Sequence, residues 1–178
     1  GRTFRQYLQY GHNGERATID DWADHLTTLF PETRIKRYIE IRSVDSQPPE
    51  LMPALSALVK GAFYDSDCLQ AAWDLVKGWS WDERMEVYLD SHVNALATRF
   101  RRHSLLDLAK EFFAIAWEGL RRQNLINDLG ENETIYLKPL KNLLDQGKCP
   151  ADILVEKWDS ELKQDVKKLI AYCAYKLP

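Results

Sequence analysis

KRYIEIRSVDSQPP, Lys36 to Pro49, is the stretch on which the fold reading turns. Its alternation predicts a β-strand over 35–44, closed by the turn signal DSQPP. Period two puts Ile39 and Ile41 on one side of that strand, and Tyr38, Glu40 and Arg42 on the other. The isoleucine side can be buried in an ordinary core. The charged side requires either water or a ligand.

Outward from this strand the sequence reads as helix. TIDDWADHLTTLF opens with a capping box, Thr18 with Asp21, and sets Ile19, Trp22, Leu26 and Leu29 on one face. ELMPALSALVKGAFYD carries Pro53 in its first turn, where a missing N–H costs little. Ser66 and Asp67 are suited to cap the next helix, over 69–76, and Ser80 with Glu83 makes a second capping box at 80. SLLDLAKEFFAIAWEGLRRQN is the strongest amphipathic segment, with Leu105, Leu108, Phe112, Ala116 and Leu120 on one stripe and Phe113 and Trp117 also expected in the core. ENETIYLKPLKNLLDQG, PADILVEKW and SELKQDVKKLIAYCAY complete the series, the last with a stripe of Leu162, Val166, Leu169 and Cys173. The class is therefore mainly α with one clear strand, in a single domain or fragment spanning 1–178.

One strand cannot satisfy its own backbone hydrogen-bonding groups, and even an isolated pair is marginal. A second strand is therefore expected before Thr18, in another chain, or in sequence outside this one. The chain reads as incomplete, and Gly1 in place of Met fits a piece of something longer.

Composition narrows the function classes. At 178 residues with a net charge of −3, the chain can bury a sizeable core, and its charge balance favours neither nucleic acid nor an anionic membrane surface. No apolar run approaches the roughly 20 residues that span a bilayer. The three cysteines, Cys68, Cys149 and Cys173, are scattered and without a CxxC pair. Free thiols on helices and a cytosolic setting are expected from them.

Glu40 and Arg42, about 7 Å apart on one strand face, pair a hard oxygen ligand with a planar guanidinium fork. That combination suits a Mg²⁺–nucleotide site, the carboxylate on the metal and the arginine on phosphoryl oxygens. From the spacing alone, a local ion pair on a solvated sheet face, at about 0–1 kcal/mol, is the more ordinary reading. Lys36 and Arg37 are further candidates for neutralising substrate carboxylates. His25, and the cluster Arg99, Arg101, Arg102 and His103, are candidates whose ordinary alternatives are packing and a solvated loop.

The run DWADHLTTLFPETRIKRYIEIRSVDSQPPELMPALSALVKGAFYD resembles the glutamate–cysteine ligases of the plant and proteobacterial type. The likeness continues through WSWDER and LLDLAKEFFAIAWEGLRRQ, and more faintly to ETIYLKPLKNLLDQGKCPADILVEKW. It implies the C-terminal part of an α+β ligase with a glutamine-synthetase-like sheet. It implies ATP-dependent joining of the glutamate γ-carboxylate to the amine of cysteine through a γ-glutamyl phosphate, the first step towards glutathione or a related thiol. ATP is then a substrate and Mg²⁺ a cofactor. Glu40 matches the family's metal-binding glutamate, Arg42 its catalytic, phosphoryl-contacting arginine, and Asp45 an aspartate expected to fix the turn. The partners implied are glutamate, cysteine, ATP and an N-terminal portion of the same protein, without which this chain is expected to be inactive. SQPPELMPALSA departs from the plant-type pattern, so a branch of the family other than the plant one is expected; a ligase of the same fold with another amine stays open, as does a non-catalytic helical module built on this scaffold.

Overall fold

The computed structural model describes residues 2–35 and 37–175, which belong to two compact units, Gly1–Ser46 and Gln47–Pro178. Among the described residues there are nine α-helices and two short antiparallel strand pairs, so the chain is mainly α.

The first unit carries α1 (Phe4–Tyr10), α2 (Ile19–Thr27) and a hairpin of β1 (Thr33–Ile35) and β2 (Ile39–Ile41). Capping boxes start both helices. Thr3 and Gln6 bond reciprocally at α1, and Thr18 and Asp21 do so at α2, as expected. The Thr18 hydroxyl also holds the Asp21 carboxyl below its ordinary range. The strand expected over 35–44 is shorter and divided. Thr33 pairs with Ile41, Arg34 with Glu40 and Ile35 with Ile39. Its partner is thus the segment just upstream and not one before Thr18, where the chain forms α1.

The expected burial is inverted. Ile39 is 69% exposed and Ile35 82%, whereas Arg34, Glu40 and Arg42 are half-buried. Among the described residues of this unit only Gly11 is buried. The unit has helix caps and a β ladder but no core of its own.

The second unit is built on α3 (Met52–Phe63) and α6 (Leu105–Gln123), which cross at unusually short range. A Cβ on Gly61 would lie 2.0 Å from the Ala116 carbonyl oxygen, and one on Gly119 would lie 1.9 Å from that of Gly61. Only glycine permits this approach. Beside it Ala57, Ala62, Ala116, Leu120 and Leu137 form the buried core, with Phe112, Phe113 and Trp117 packed against it as expected.

Helix α4 (Ser66–Val76) is capped by Asp65, which accepts from the backbone N–H groups of Asp67 and Cys68. The expected caps Ser66 and Asp67 lie inside its first turn instead. Helix α5 (Trp81–Asn94) opens with the Ser80–Glu83 box. The pair β3 (Arg99–Phe100) and β4 (His103–Ser104) leads into α6, where Ser104 and Asp107 form a further box. Then come α7 (Lys138–Gln146), α8 (Pro150–Ser160) and α9 (Val166–Cys173).

The segment expected as one helix over 160–175 breaks before Asp165. Lys163 and Gln164 take left-handed backbone, and Leu162 is buried in the link. Cys68 and Cys173 lie on helices, while Cys149 sits at the N-cap of α8; all three are free thiols.

Candidate active site

The β1–β2 hairpin brings the expected pair, Glu40 and Arg42, together with a residue that the spacing did not single out. Arg34 lies directly across the ladder from Glu40, so their side chains share a face. Its Nε donates to Glu40 Oε2 at 2.8 Å, and its Nη2 approaches the same oxygen at 2.8 Å. The Nη1 of Arg42 stands 3.8 Å from that oxygen, at ion-pair and not hydrogen-bond range. Two guanidinium groups therefore converge on one carboxylate oxygen.

Arg42 is also fixed from other directions. Its backbone N–H donates to the Glu32 carbonyl at 2.8 Å, extending the ladder one step past β2. Its guanidinium carbon lies 4.8 Å from the centre of the Phe30 ring. That cation–π contact holds the guanidinium without occupying its N–H donors. The arrangement is a preorganised cationic pair around a central carboxylate, suited to an anion with several oxygens.

It is not by itself a divalent-cation site. Among the described residues no three His, Cys, Asp or Glu side chains gather into a metal-binding cluster. Glu40 can contribute one hard ligand, with Arg34 already on its Oε2. A hexacoordinate Mg²⁺ takes one or two carboxylates together with waters and phosphate oxygens, so these residues do not complete its shell.

The remaining candidates are placed elsewhere. Arg37 is exposed between the two strands, and Lys36 lies outside the described residues. Asp45 is exposed in irregular chain after β2 and not in a turn. His25 stacks on Phe4 at 4.9 Å and lies 5.7 Å from Trp22, a packing role. Arg101 donates from Nε and Nη2 to the two oxygens of Glu83, and also to the Gly78 carbonyl. That bidentate partner pulls the Glu83 carboxyl down to about 2. Arg99 and His103 lie on the β3–β4 pair and Arg102 is exposed between its strands, so this basic cluster belongs to a hairpin and not to a loop.

Asp65, the end of the family-like GAFYD, caps α4 and lies 3.6 Å from Arg122, which also bonds Asp67 and Glu118. Arg121 and Arg122 draw Glu118 down to about 2. In this chain GAFYD is thus structural: Gly61 admits α6, and Asp65 starts α4. A groove of about 430 Å³ in the second unit is lined by Phe63, Leu69, Trp73, Trp79, Leu105 and Phe112. It lacks the convergent polar groups that would orient a reacting substrate.

Comparison with known proteins bears on this hairpin. The family model described as glutamate-cysteine ligase family 2 matches residues 3–169. The chloroplastic glutamate–cysteine ligase of Brassica juncea is 35% identical over 178 residues, covering 98% of this chain and 34% of the relative. That of Arabidopsis thaliana is also 35% identical, covering 98% of this chain and 33% of its own length. Glutamate–cysteine ligase A of Oryza sativa subsp. indica is 33% identical over 162 residues, 91% of this chain and 32% of the relative. The chain thus spans about a third of the length of the curated relatives it matches. The cytosolic setting expected from the thiols is corrected by these relatives, all three of which are chloroplastic. Scattered cysteines without a disulfide do not identify a compartment.

Proposed function

The chain belongs to glutamate-cysteine ligase family 2, and we propose that it supplies part of the active site of an enzyme joining the γ-carboxylate of glutamate to the amine of cysteine. The reaction is driven by ATP: the γ-carboxylate attacks the terminal phosphorus, ADP leaves, and the cysteine amine then displaces phosphate from γ-glutamyl phosphate. The product is the first intermediate of glutathione or a related thiol. Because the chain spans a third of its relatives, the glutamate pocket and the remaining metal ligands are assigned to the rest of the same protein. Glu40 is proposed as one ligand of an Mg²⁺ site that the described residues do not complete.

The observation that carries this reading is Arg42, ion-paired to Glu40 and stacked on Phe30. Phosphoryl transfer spreads negative charge over the transferring oxygens. A guanidinium already positioned there stabilises that charge more in the transition state than in the ground state. Arg42→Lys keeps the charge and loses the fork. In the full-length protein its kcat is expected to fall on the order of a hundredfold or more, with the KM for glutamate much less changed. A near-normal kcat in steady-state assays would make this face structural. Residues 1–178 alone, with one candidate carboxylate ligand, are expected neither to release ADP nor to form γ-glutamylcysteine.

A further inference from the structure

We infer that Arg34 is a second anion-binding residue of this site, forming with Arg42 a two-guanidinium cradle for the phosphate oxygens of a polyphosphate, with Glu40 as the pin between them. The inference rests on the reading of Arg42 given above and adds a residue to it. Three observations carry it. The register places Arg34 opposite Glu40, and period two places Arg42 on the same face. Both guanidiniums are half-buried, with side-chain exposures of 21% and 23%, and both converge on Glu40 Oε2. One carboxylate cannot saturate two forks of five N–H donors each. Arg34 spends its Nε hydrogen on it, with Nη2 in ion-pair contact with the same oxygen, and Arg42 is held at 3.8 Å without a hydrogen bond.

Partly desolvated guanidinium donors gain most from an acceptor bearing several oxygens, and a phosphate tail offers oxygens to both forks at once. Glu40 holds Arg34 by its hydrogen bond and Arg42 at ion-pair range, and Arg42 also lies over the Phe30 ring. A ligand entering between them meets donors whose conformational freedom is already restricted, which lowers the cost of binding.

The test uses the full-length protein, titrated calorimetrically with inorganic tripolyphosphate in a constant excess of Mg²⁺. Arg34→Lys is expected to weaken tripolyphosphate binding about tenfold, as for loss of a bidentate fork, and Arg34→Gln to weaken it further. Glutamate binding and the thermal unfolding midpoint should stay near wild type. Arg101→Lys, whose fork is held by Glu83, should leave the affinity unchanged. If Arg42→Lys weakens binding while Arg34→Lys stays within twofold of wild type, Arg34 is not part of the cradle, although the reading of Arg42 stands. If Arg34→Lys lowers only the unfolding midpoint, Arg34 is a structural partner of Glu40 and the inference fails. If neither lysine variant alters affinity, the inference and the proposed function fall together.

Discussion

The β1–β2 hairpin and the α3–α6 crossing use exposure in opposite ways. At the crossing, Ala116 and Leu120 are fully buried and the charged groups of α6, Glu118, Arg121 and Arg122, bond one another at the surface. On the hairpin the isoleucines are exposed and the ionic groups are the shielded ones. A sheet face that shields charge and exposes hydrocarbon gains little folding energy from it, since burial of apolar area is the main favourable term. The difference teaches where each property resides. Stability comes from the helical unit, and the chemistry is assigned to the unit without a core.

The largest effect that would break this comparison is expected at Leu120. Leu120→Ala removes a fully buried side chain from the core beside Ala116 and Leu137. It should cost about 2–5 kcal/mol in denaturant unfolding of the 178-residue chain. A cost below about 1 kcal/mol would mean that this core is not what holds the unit. Next is Gly119→Ala. Alanine favours helix by about 1 kcal/mol over glycine, but its methyl would lie 1.9 Å from the Gly61 carbonyl oxygen. The clash is with backbone and cannot be relieved by a rotamer change, so α3 and α6 must separate. The expected net loss is about 2 kcal/mol, overpacking outweighing propensity. A stabilised Gly119→Ala protein would contradict the close crossing.

A smaller effect sharpens the other side of the comparison. Ile39→Thr changes an exposed isoleucine to another β-branched residue on the same strand. In the 178-residue chain it should alter stability by less than about 0.5 kcal/mol. A cost approaching that of Leu120→Ala would show that the isoleucine face is covered.

How much of this was legible follows from the range of the interactions. The Thr18–Asp21 and Ser80–Glu83 boxes, Pro53 in the first turn of α3 and the stripe ending in Leu120 could all be read, because each depends on residues within about a turn. The site was half legible. Glu40 and Arg42 stand two residues apart, whereas Arg34 enters only through the register of the hairpin. Phe30 enters by stacking beneath a guanidinium, which no sequence period encodes. The burial of the hairpin was misread because alternation distinguishes two faces without saying which is covered. The partner of Arg101 was missed for a similar reason: Glu83 was already accounted for as a cap, and a carboxylate with two oxygens can serve both the cap and the guanidinium.

The smallest expected effect is the acid dependence of that shared carboxylate. Glu83 is drawn from its ordinary 4.5 to about 2, first by the Arg101 guanidinium and then by the Ser80 backbone N–H. A carboxyl whose folded value lies below its unfolded one stabilises the fold above the unfolded value, and that contribution disappears as pH falls through the folded value. The window is therefore about pH 4.5 to 2, in which the unfolded chain takes up a proton that the native chain resists. Arg101 is exposed and Glu83 half-buried, with side-chain exposures of 48% and 31%, so the pair is still partly solvated and its effect is small and screened by salt. In urea unfolding from neutrality down to about pH 2, Glu83→Gln should be less stable than the parent near neutrality, and the two should converge at the acid end. The variant keeps part of the acid slope, because Glu118 is also held near 2, by Arg121 and Arg122. A difference between parent and Glu83→Gln that stays constant over the whole range would show that the side chain acts through its shape and not its charge. Arg101→Gln separates the two contributions to the shift. It removes the guanidinium and leaves the Ser80 N–H in place, so its pH dependence should fall between those of the parent and Glu83→Gln.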